Sequence, residues 1–471
     1  MITFFRAATY FHLFSVFIVL ILLRIVYLID GLPILNTELE WMLVGERLGN
    51  GYSLYSDTWT ITGPLSSYVY GFVHFLFGRN SFFYELMALL LVYIQSLFFT
   101  LIINRNKVFI ERNYLPGLMY AIMVTLSFDA NKLSPALLAT TFLLFAINSL
   151  FKHIDKSDGG TEPVFEVGLF LGIGSLFLYT FPVFLIWAIL SLLMFTSVKL
   201  HQVLLLLLGY FLPVLVMGLF FYFNNAFEDF YVQWVLKGFG FEIFTGAKIY
   251  QTVIVYGLPL IVAILGIIKV FGNGRYSTFQ NRKHQIMVLC GIFAGVCYFL
   301  ADNAYTYELI CLAPFLAFFV TGWFIHVKGD WLPELLFMLF AGFVCYMNYL
   351  GVSNKNDKNY IHLSEARIDQ TSDKSYIKDR FLLITGDRND EYYLAKPGSA
   401  YLNWEASRYD LEHPDIYESL ISIQQHFDDE KPEYIIDNEQ VFPAIFERVP
   451  ELADQYVRVE GTRNFRMKLE R

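Results

Sequence analysis

Apolar stretches long enough to cross a bilayer recur eleven times along this chain, near 9–29, 82–103, 114–128, 133–151, 164–180, 181–198, 202–223, 251–270, 285–300, 307–325 and 332–351. A hydrocarbon core of about 30 Å needs roughly 20 such residues wound as a helix. No water is available there to satisfy backbone N–H and C=O groups, so the segments must be α-helical. Composition agrees, with 56% hydrophobic against 16% charged residues, and excludes a soluble fold. One arginine, Arg6, precedes the first apolar run, but no small-residue cleavage site follows and Arg24 and Tyr27 continue the segment. The run reads as a retained first span.

Charge orients the array. With the N-terminus cytoplasmic, the connections 104–113, 152–160, 198–202, 272–285 and 326–331 are cytoplasmic, and every one carries Lys or Arg. The opposite face receives 129–133, 223–248, 302–307, a long first loop and the whole tail, which are rich in acids and aromatics. The positive-inside rule favours this arrangement, with an odd number of spans and an external C-terminus. The run 63–78 is too short for a crossing and suits a helix lying at the interface. The expected domains are a membrane domain over 1–351, with its first external loop at 30–81, and an extracytoplasmic domain over 352–471.

The tail changes character. Short apolar runs at 380–386 and 432–437, bounded by Gly, Pro and Asp, read as buried strands. The stretches 414–427 and 441–456 have helical spacing, and a hairpin is expected around Gly461. The predicted fold is thus an α-helical polytopic membrane protein with a small C-terminal α/β domain. The net charge of -9 comes largely from that tail, so it belongs to one soluble domain and speaks against nucleic acid as a partner. All four cysteines, Cys290, Cys297, Cys311 and Cys345, lie in apolar spans, which leaves neither a disulfide framework nor a thiolate metal site. No grouping of His and carboxylates has metal-ligand spacing. GDRND at 386–390 reads as a plain turn after a strand, and the tail has no phosphate-binding glycine motif.

Chemistry is expected in the first loop, because a polar stretch of this length beside a bilayer serves a function more often than it merely connects. Glu38 and Glu40 follow the first span, Glu46 and Arg47 lie on the same expected helix, Gly51 stops it, and LYSDTWTITGPL returns the chain to the membrane. A partly buried carboxylate at a bilayer surface can act as general base toward an acceptor hydroxyl. The order of these elements resembles the GT-C superfamily of membrane glycosyltransferases, such as protein O-mannosyltransferases and lipid A aminoarabinose transferases. The matching residues are Thr37-Glu38, the helix to Gly51, Tyr55-Ser56-Asp57, Gly63-Pro64-Leu65 and FGRNSFFYEL at 77–86. Two positions depart from that pattern. Thr37 stands where an Asp is usual, and Ile61 and Thr62 stand where many members carry His or Lys near the donor phosphate.

The resemblance implies transfer of a sugar from a polyprenyl-phosphate-linked donor to an acceptor on the non-cytoplasmic face, in the bacterial inner membrane, with membrane lipids as surroundings. It leaves protein partners unspecified. Glu38 is the expected catalytic base, with Asp57 and Asp129 as further acids at the site. Substrate binding falls to Arg24, Glu40, Lys132, Trp234, Lys237 and Lys248, with the cations supplying the phosphate contacts that Ile61 and Thr62 cannot. No cofactor is specified, and a divalent cation stays open. Each residue also has a bland reading. Glu40 and Glu46 fit a solvated helix face, and Asp57 a local turn. Asp129 fits a helix cap and Arg24 a pair with Asp30 or snorkelling, while Trp234, with Tyr231 and Phe239, fits an interface anchor. The alternative to an enzyme is a non-catalytic subunit of a cell-envelope assembly that keeps the fold. A transporter would need a repeated pair of broken helices, which the sequence lacks.

Overall fold

The structure is a computed structural model that describes residues 5, 11–25, 33–155, 160–196, 198–236, 249–301, 305–327, 329, 331–352, 368 and 375–468. Its contacts divide the chain into two compact units. One comprises Met1–Leu32, Phe82–Val216 and Phe241–Ser364, and the other Pro33–Ser81, Met217–Gly240 and Glu365–Arg471.

In chain order the described helices of ten residues or more up to the tail are α1 (Phe11–Leu23), α2 (Asn36–Gly49), α3 (Pro64–Phe77), α4 (Ser81–Arg105), α5 (Leu115–Val124), α6 (Pro135–Asp155), α7 (Glu162–Ser175), α8 (Val183–Phe195) and α9 (Leu200–Phe223). They are followed by α10 (Ile249–Phe271), α11 (Thr278–Phe299), α12 (Ala313–His326) and α13 (Trp331–Val352). Each of the eleven expected spans coincides with a helix. Among the described residues, six stretches are long and apolar enough to cross a membrane: Ser81–Arg105, Pro135–Asp155, Leu200–Phe223, Thr252–Phe271, Thr306–His326 and Trp331–Asn348. Shorter apolar helices lie at Phe14–Leu23, Leu115–Val124 and Val183–Phe195.

In the first unit α12 is the central helix, apolar around its whole circumference and buried between α5 and α10. Its packing against α10 is close because Gly266 of α10 meets the carbonyl of Phe319 with no side chain between. α7 packs on α9 in the same manner: Gly168 faces the carbonyl of Leu206, Gly172 faces that of Tyr210, and Gly209 approaches the carbonyl of Phe165. Small residues four apart let helix backbones approach where no hydrophobic force drives them together.

The second unit joins the first loop to the tail. Its mixed sheet has strand order β2-β1-β3-β5-β4, from β1 (Phe381–Thr385), β2 (Lys396–Pro397), β3 (Tyr434–Asp437), β4 (Tyr456–Arg458) and β5 (Phe465–Met467). β1 lies parallel to β2 and β3, while β5 is antiparallel to β3 and β4. The β4–β5 hairpin turns where Gly461 has φ 74°. Helices α14 (Trp404–Glu412) and α15 (Tyr417–Asp429) precede β3. The helical stretch expected over 441–456 is broken into α16 (Phe442–Arg448) and a short α17 (Pro450–Ala453), because Pro450 lacks an N–H and disfavours helical backbone at Val449.

The core of this sheet contains a residue from the first loop. Trp59 packs with Tyr401, Ile423, Phe427, Ile435 and Phe442, and Ile61 lies against the same cluster. Its backbone pairs with the tail, Trp59 N–H donating to Ala400 O at 2.8 Å and Asn403 N–H to Trp59 O at 3.2 Å. α3 packs on α2, where Gly45 approaches the carbonyl of Tyr70 and Trp41 stacks on Tyr70 at 5.8 Å. With 14 residues α3 is about 21 Å long, short of a bilayer core.

Candidate functional site

Two groups of the expected site residues are assembled, one in each unit. In the first unit, the short link between α5 and α6 makes a 3₁₀ turn at Asp129–Asn131 and is wholly buried. Lys132 follows it, with no exposure, and its Nζ donates to Glu85 Oε1 at 2.9 Å. Arg24, at the end of α1 and 4% exposed, sends Nη1 to the carbonyls of Glu85 at 3.3 Å and Asn131 at 3.5 Å. Two cations expected from separate elements therefore meet at Glu85. The guanidinium is turned into the protein, which corrects the expectation that Arg24 snorkels outward. The alternative partner Asp30 lies outside the described residues.

Glu85 itself was not singled out by sequence reasoning. An acid at the start of an otherwise apolar span is the signal that could have found it.

Asp129 faces the other way within the same unit. One oxygen accepts from the Ser127 hydroxyl, and the other from Thr306 Oγ1 at 2.5 Å and Tyr307 N–H at 2.9 Å. The carboxylate thereby caps the first turn of the 3₁₀ helix Thr306–Leu312. Burial pushes its pKa up, against the hydrogen bonds that stabilise the charged form.

In the second unit, α2 carries four charged residues, Glu38, Glu40, Glu46 and Arg47, of which Glu40 and Glu46 were expected on a solvated face. All four are buried. For Glu40 and Glu46 this corrects the solvated-face reading, and the reason is that the tail packs on α2. Glu40 Oε1 accepts from Asn403 Nδ2 at 2.7 Å and Thr60 Oγ1 at 3.3 Å. Burial pushes Glu40 up to about 7, assisted by Glu405 and Asp387 and opposed by those two hydrogen bonds. Glu46 pairs with Arg79, which also donates to the carbonyls of Tyr392 at 2.6 Å and Ala395 at 2.9 Å.

Arg47 holds the loop after α2 to the tail. Its Nη1 and Nη2 reach Glu430 at 3.2 and 2.7 Å, Nη2 also donates to Asp57 O at 2.6 Å, and Nε to Thr58 Oγ1 at 3.1 Å. Its guanidinium lies 4.1 Å from the ring centre of Tyr52. Asp57 is exposed, and its carboxylate accepts the N–H of Ser53 at 2.8 Å, a local turn. Glu38, 2% exposed, accepts the N–H of Leu35 at 3.4 Å and so caps the start of α2. Thr62 shares a hydrogen bond with Thr60 at 2.9 Å, and its carbonyl takes the Tyr55 hydroxyl at 2.8 Å.

Trp234 sits in a π-helical turn, Tyr231–Leu236, buried and stacked on Phe230 at 5.3 Å, and Phe230 stacks in turn on Phe221. Trp234 is a packed residue here, not an exposed interface anchor. Lys237 and Lys248 lie outside the described residues, as does Phe239. Among the described residues no cluster of three or more His, Cys, Asp or Glu is arranged to hold a metal ion.

A cleft of about 360 Å³ opens in the second unit between the end of α2, the loop 51–54, α3 and the end of α9. None of the seven expected site residues among the described ones lines it.

No family model matches the sequence, and no curated protein matches it. Solved structures do. ArnT from Cupriavidus metallidurans bound to undecaprenyl phosphate aligns with a TM-score of 0.53 at 12% identity, over 76% of this chain and 68% of that one. The archaeal oligosaccharyltransferase AglB from Archaeoglobus fulgidus, in complex with an inhibitory peptide and a dolichol-phosphate, aligns at 0.49 and 12% identity over 98% and 74%. The apolar helices here are those of a multi-pass membrane protein. The resemblance drawn from residues 36–86 holds at the level of architecture: this chain shares the fold of the ArnT structure.

Proposed function

We propose that the chain is a GT-C-type membrane glycosyltransferase that takes a sugar from a polyprenyl-phosphate-linked donor and passes it to an acceptor on the non-cytoplasmic face. The observation that carries this reading is the convergence of Arg24 and Lys132, both buried, on Glu85. Buried cations within an apolar fold serve a function far more often than they serve stability. A guanidinium and an ammonium that share one residue suit a lipid-linked phosphate, the first by its planar fork and the second as a point charge. The ligand named for the ArnT structure, undecaprenyl phosphate, is of that class.

In the reaction the acceptor hydroxyl attacks the anomeric carbon as the bond from that carbon to the phosphate oxygen breaks. The polyprenyl phosphate departs with the electron pair, stabilised by Arg24 and Lys132. The hydroxyl proton passes to a carboxylate base, and Glu38 is the residue proposed for that role from the sequence pattern. Asp57 and Asp129 act by positioning, Asp57 by closing a local turn at Ser53 and Asp129 by tying the link after α5 to Thr306. Lys237 and Lys248 remain proposed phosphate contacts, and a divalent cation is compatible with the reading. The eleven helices are assigned as spans with the N-terminus cytoplasmic.

One observation favours the non-catalytic alternative. Ile61 packs against the tail core and Thr62 is committed to Thr60 and Tyr55, so neither is available to a phosphate where related enzymes carry a base.

The test is lipid extraction from the purified full-length protein followed by mass spectrometry for polyprenyl phosphates. Wild type should retain them, and Lys132→Met should lower retention about tenfold, the worth of one charge-assisted contact. Glu85→Gln should raise it by removing the carboxylate that competes for Lys132. Glu38→Gln should keep the lipid while losing transfer by about 10²-fold or more. Absence of polyprenyl phosphate from the wild type, or retention unchanged in both Lys132→Met and Glu85→Gln, would sink the enzyme reading.

A further inference from the structure

The cleft in the second unit has a lining that narrows its occupant. One side is aromatic: Tyr68 and Phe72 of α3 and Phe220 of α9 are 36%, 61% and 47% exposed. Tyr68 and Phe220 meet edge to face at 5.9 Å, which sets two rings at a fixed angle. The loop side is polar, with Tyr52 and Ser53, and Asn224 adds an amide beside Phe220 at the end of α9. Asn224 is held by its Nδ2 donating to Phe220 O at 2.7 Å.

The polar side is also held in place. Tyr52 lies under the Arg47 guanidinium, Arg47 grips Asp57 O, and the Asp57 carboxylate closes the turn through Ser53 N–H. Beneath it Tyr55, buried with φ 70°, rests on Phe221 and Phe230 and donates its hydroxyl to Thr62 O. A site already ordered before binding loses little entropy when a ligand arrives.

Three ligand classes can be compared with that lining. A phosphorylated group would need a counter-charge, and none of the described lining residues is Lys or Arg. A hydrocarbon chain would waste the polar part of the lining, where hydroxyls, an amide and loop backbone would lose water without gaining partners. A neutral sugar ring uses both kinds of lining. Its C–H face covers aromatic rings, and its hydroxyls bond to Ser, Tyr and Asn side chains. The volume lies in the range of small-ligand sites, about 300–1,000 Å³, and has room for a disaccharide.

We infer that this cleft binds a saccharide, and that it is a binding subsite for the acceptor glycan. The acceptor assignment rests on the glycosyltransferase reading, whereas saccharide binding at the cleft stands apart from it. Tyr68, Phe72 and Phe220 are the stacking residues, and Ser53 and Asn224 the hydroxyl partners.

The experiment is saturation-transfer NMR on the full-length protein, purified in a detergent without a sugar head group, with maltose and chitobiose as separate probes. Ring C–H protons of at least one disaccharide should receive saturation, and dodecyl maltoside should compete. Phe72→Ala and Tyr68→Ala, both at exposed positions, should each weaken binding about 2–10-fold, the worth of one aromatic contact. Both variants should keep wild-type thermal stability and wild-type retention of polyprenyl phosphate.

Saturation transfer to neither disaccharide, or equal transfer in wild type and both variants, would overturn the saccharide site. Displacement of the sugar signal by oleate with the same two residues responsible would replace it with a lipid groove. Loss of polyprenyl phosphate in Phe72→Ala would overturn the acceptor assignment by tying the cleft to the donor. A protein that binds disaccharide at this cleft but carries no polyprenyl phosphate would keep the saccharide site while removing the glycosyltransferase reading, so the two failures are distinct.

Discussion

The two units of this chain use buried charge in opposite ways. In the helical unit the packing is apolar and close, with α12 buried on all sides and glycines bringing backbones into contact. Against that background a buried Arg24, Lys132 and Asp129 stand out, and each lies at or next to the link between α5 and α6 or contacts it directly. In the unit built from the first loop and the tail, buried charge is a fastening. Arg47 with Glu430, Arg79 with Glu46, and Glu40 with Asn403 all join the loop to the tail. Burial of ionisable groups therefore fastens the loop to the tail in the second unit, while in the first it gathers at one link, with the Lys283–Asp155 pair elsewhere.

The comparison breaks most readily at Trp59. If the first loop and the tail fold as one unit, Trp59→Ala removes a core residue and should cost about 3–5 kcal/mol. Limited proteolysis should then cleave within 375–468 at protease levels the wild type resists, while the helical unit stays intact. Equal resistance in the variant would show that the tail folds without the loop.

A smaller effect separates Glu40 by its titration. Its folded pKa of about 7 lies above the ordinary 4.5, so over that window the folded protein keeps a proton that the unfolded chain releases. Stability of this unit should decline as pH rises from 4.5 to 7, reaching a penalty on the order of 3 kcal/mol above 7. Glu40→Gln removes the charge and keeps an oxygen for Asn403. Denaturant unfolding should show the variant more stable than wild type at pH 8 and nearly equal at pH 5. His426, which burial lowers, contributes a slope of the other sign in both proteins, so the difference between them isolates Glu40. A wild-type slope retained in the variant would assign the titration to another group.

Much of the helical unit was legible because a spanning helix is written locally, as a run of apolar residues. The tail strands at 381–385 and 434–437 were legible for a similar reason, being short apolar runs between breakers. What could not be read was long-range. Trp59 looks like any loop aromatic until residues 400–403 pair with it, more than 340 positions later. Glu40 looks solvated until Asn403 arrives, and Lys132 becomes informative only once Glu85 and Arg24 meet it. The cleft was illegible too, since Tyr68 and Phe220 belong to helices far apart in sequence.

The smallest expected effect lies in the helical unit and sharpens the contrast from the other side. If its stability comes from backbone approach, a single methyl group at the crossing of α7 and α9 should register there and nowhere else. At Gly172 an added Cβ would meet the carbonyl of Tyr210 and the ring of Pro213 at 2.7 Å, and neither is a flexible side-chain end that can swing away. The helices must then separate, with loss of the Ser175 to Tyr210 hydrogen bond of 2.9 Å one turn away. Gly172→Ala should cost about 1–3 kcal/mol, the usual toll of overpacking, against a gain of at most about 1 kcal/mol from better helix propensity. Thermal unfolding followed by far-UV circular dichroism should report the loss in the helical unit. The tail's protease resistance and the pH dependence carried by Glu40 should stay at wild-type values. A variant as stable as wild type would mean that α7 and α9 are held by side-chain packing rather than backbone contact. The contrast between the two units would then rest on the ion pairs alone.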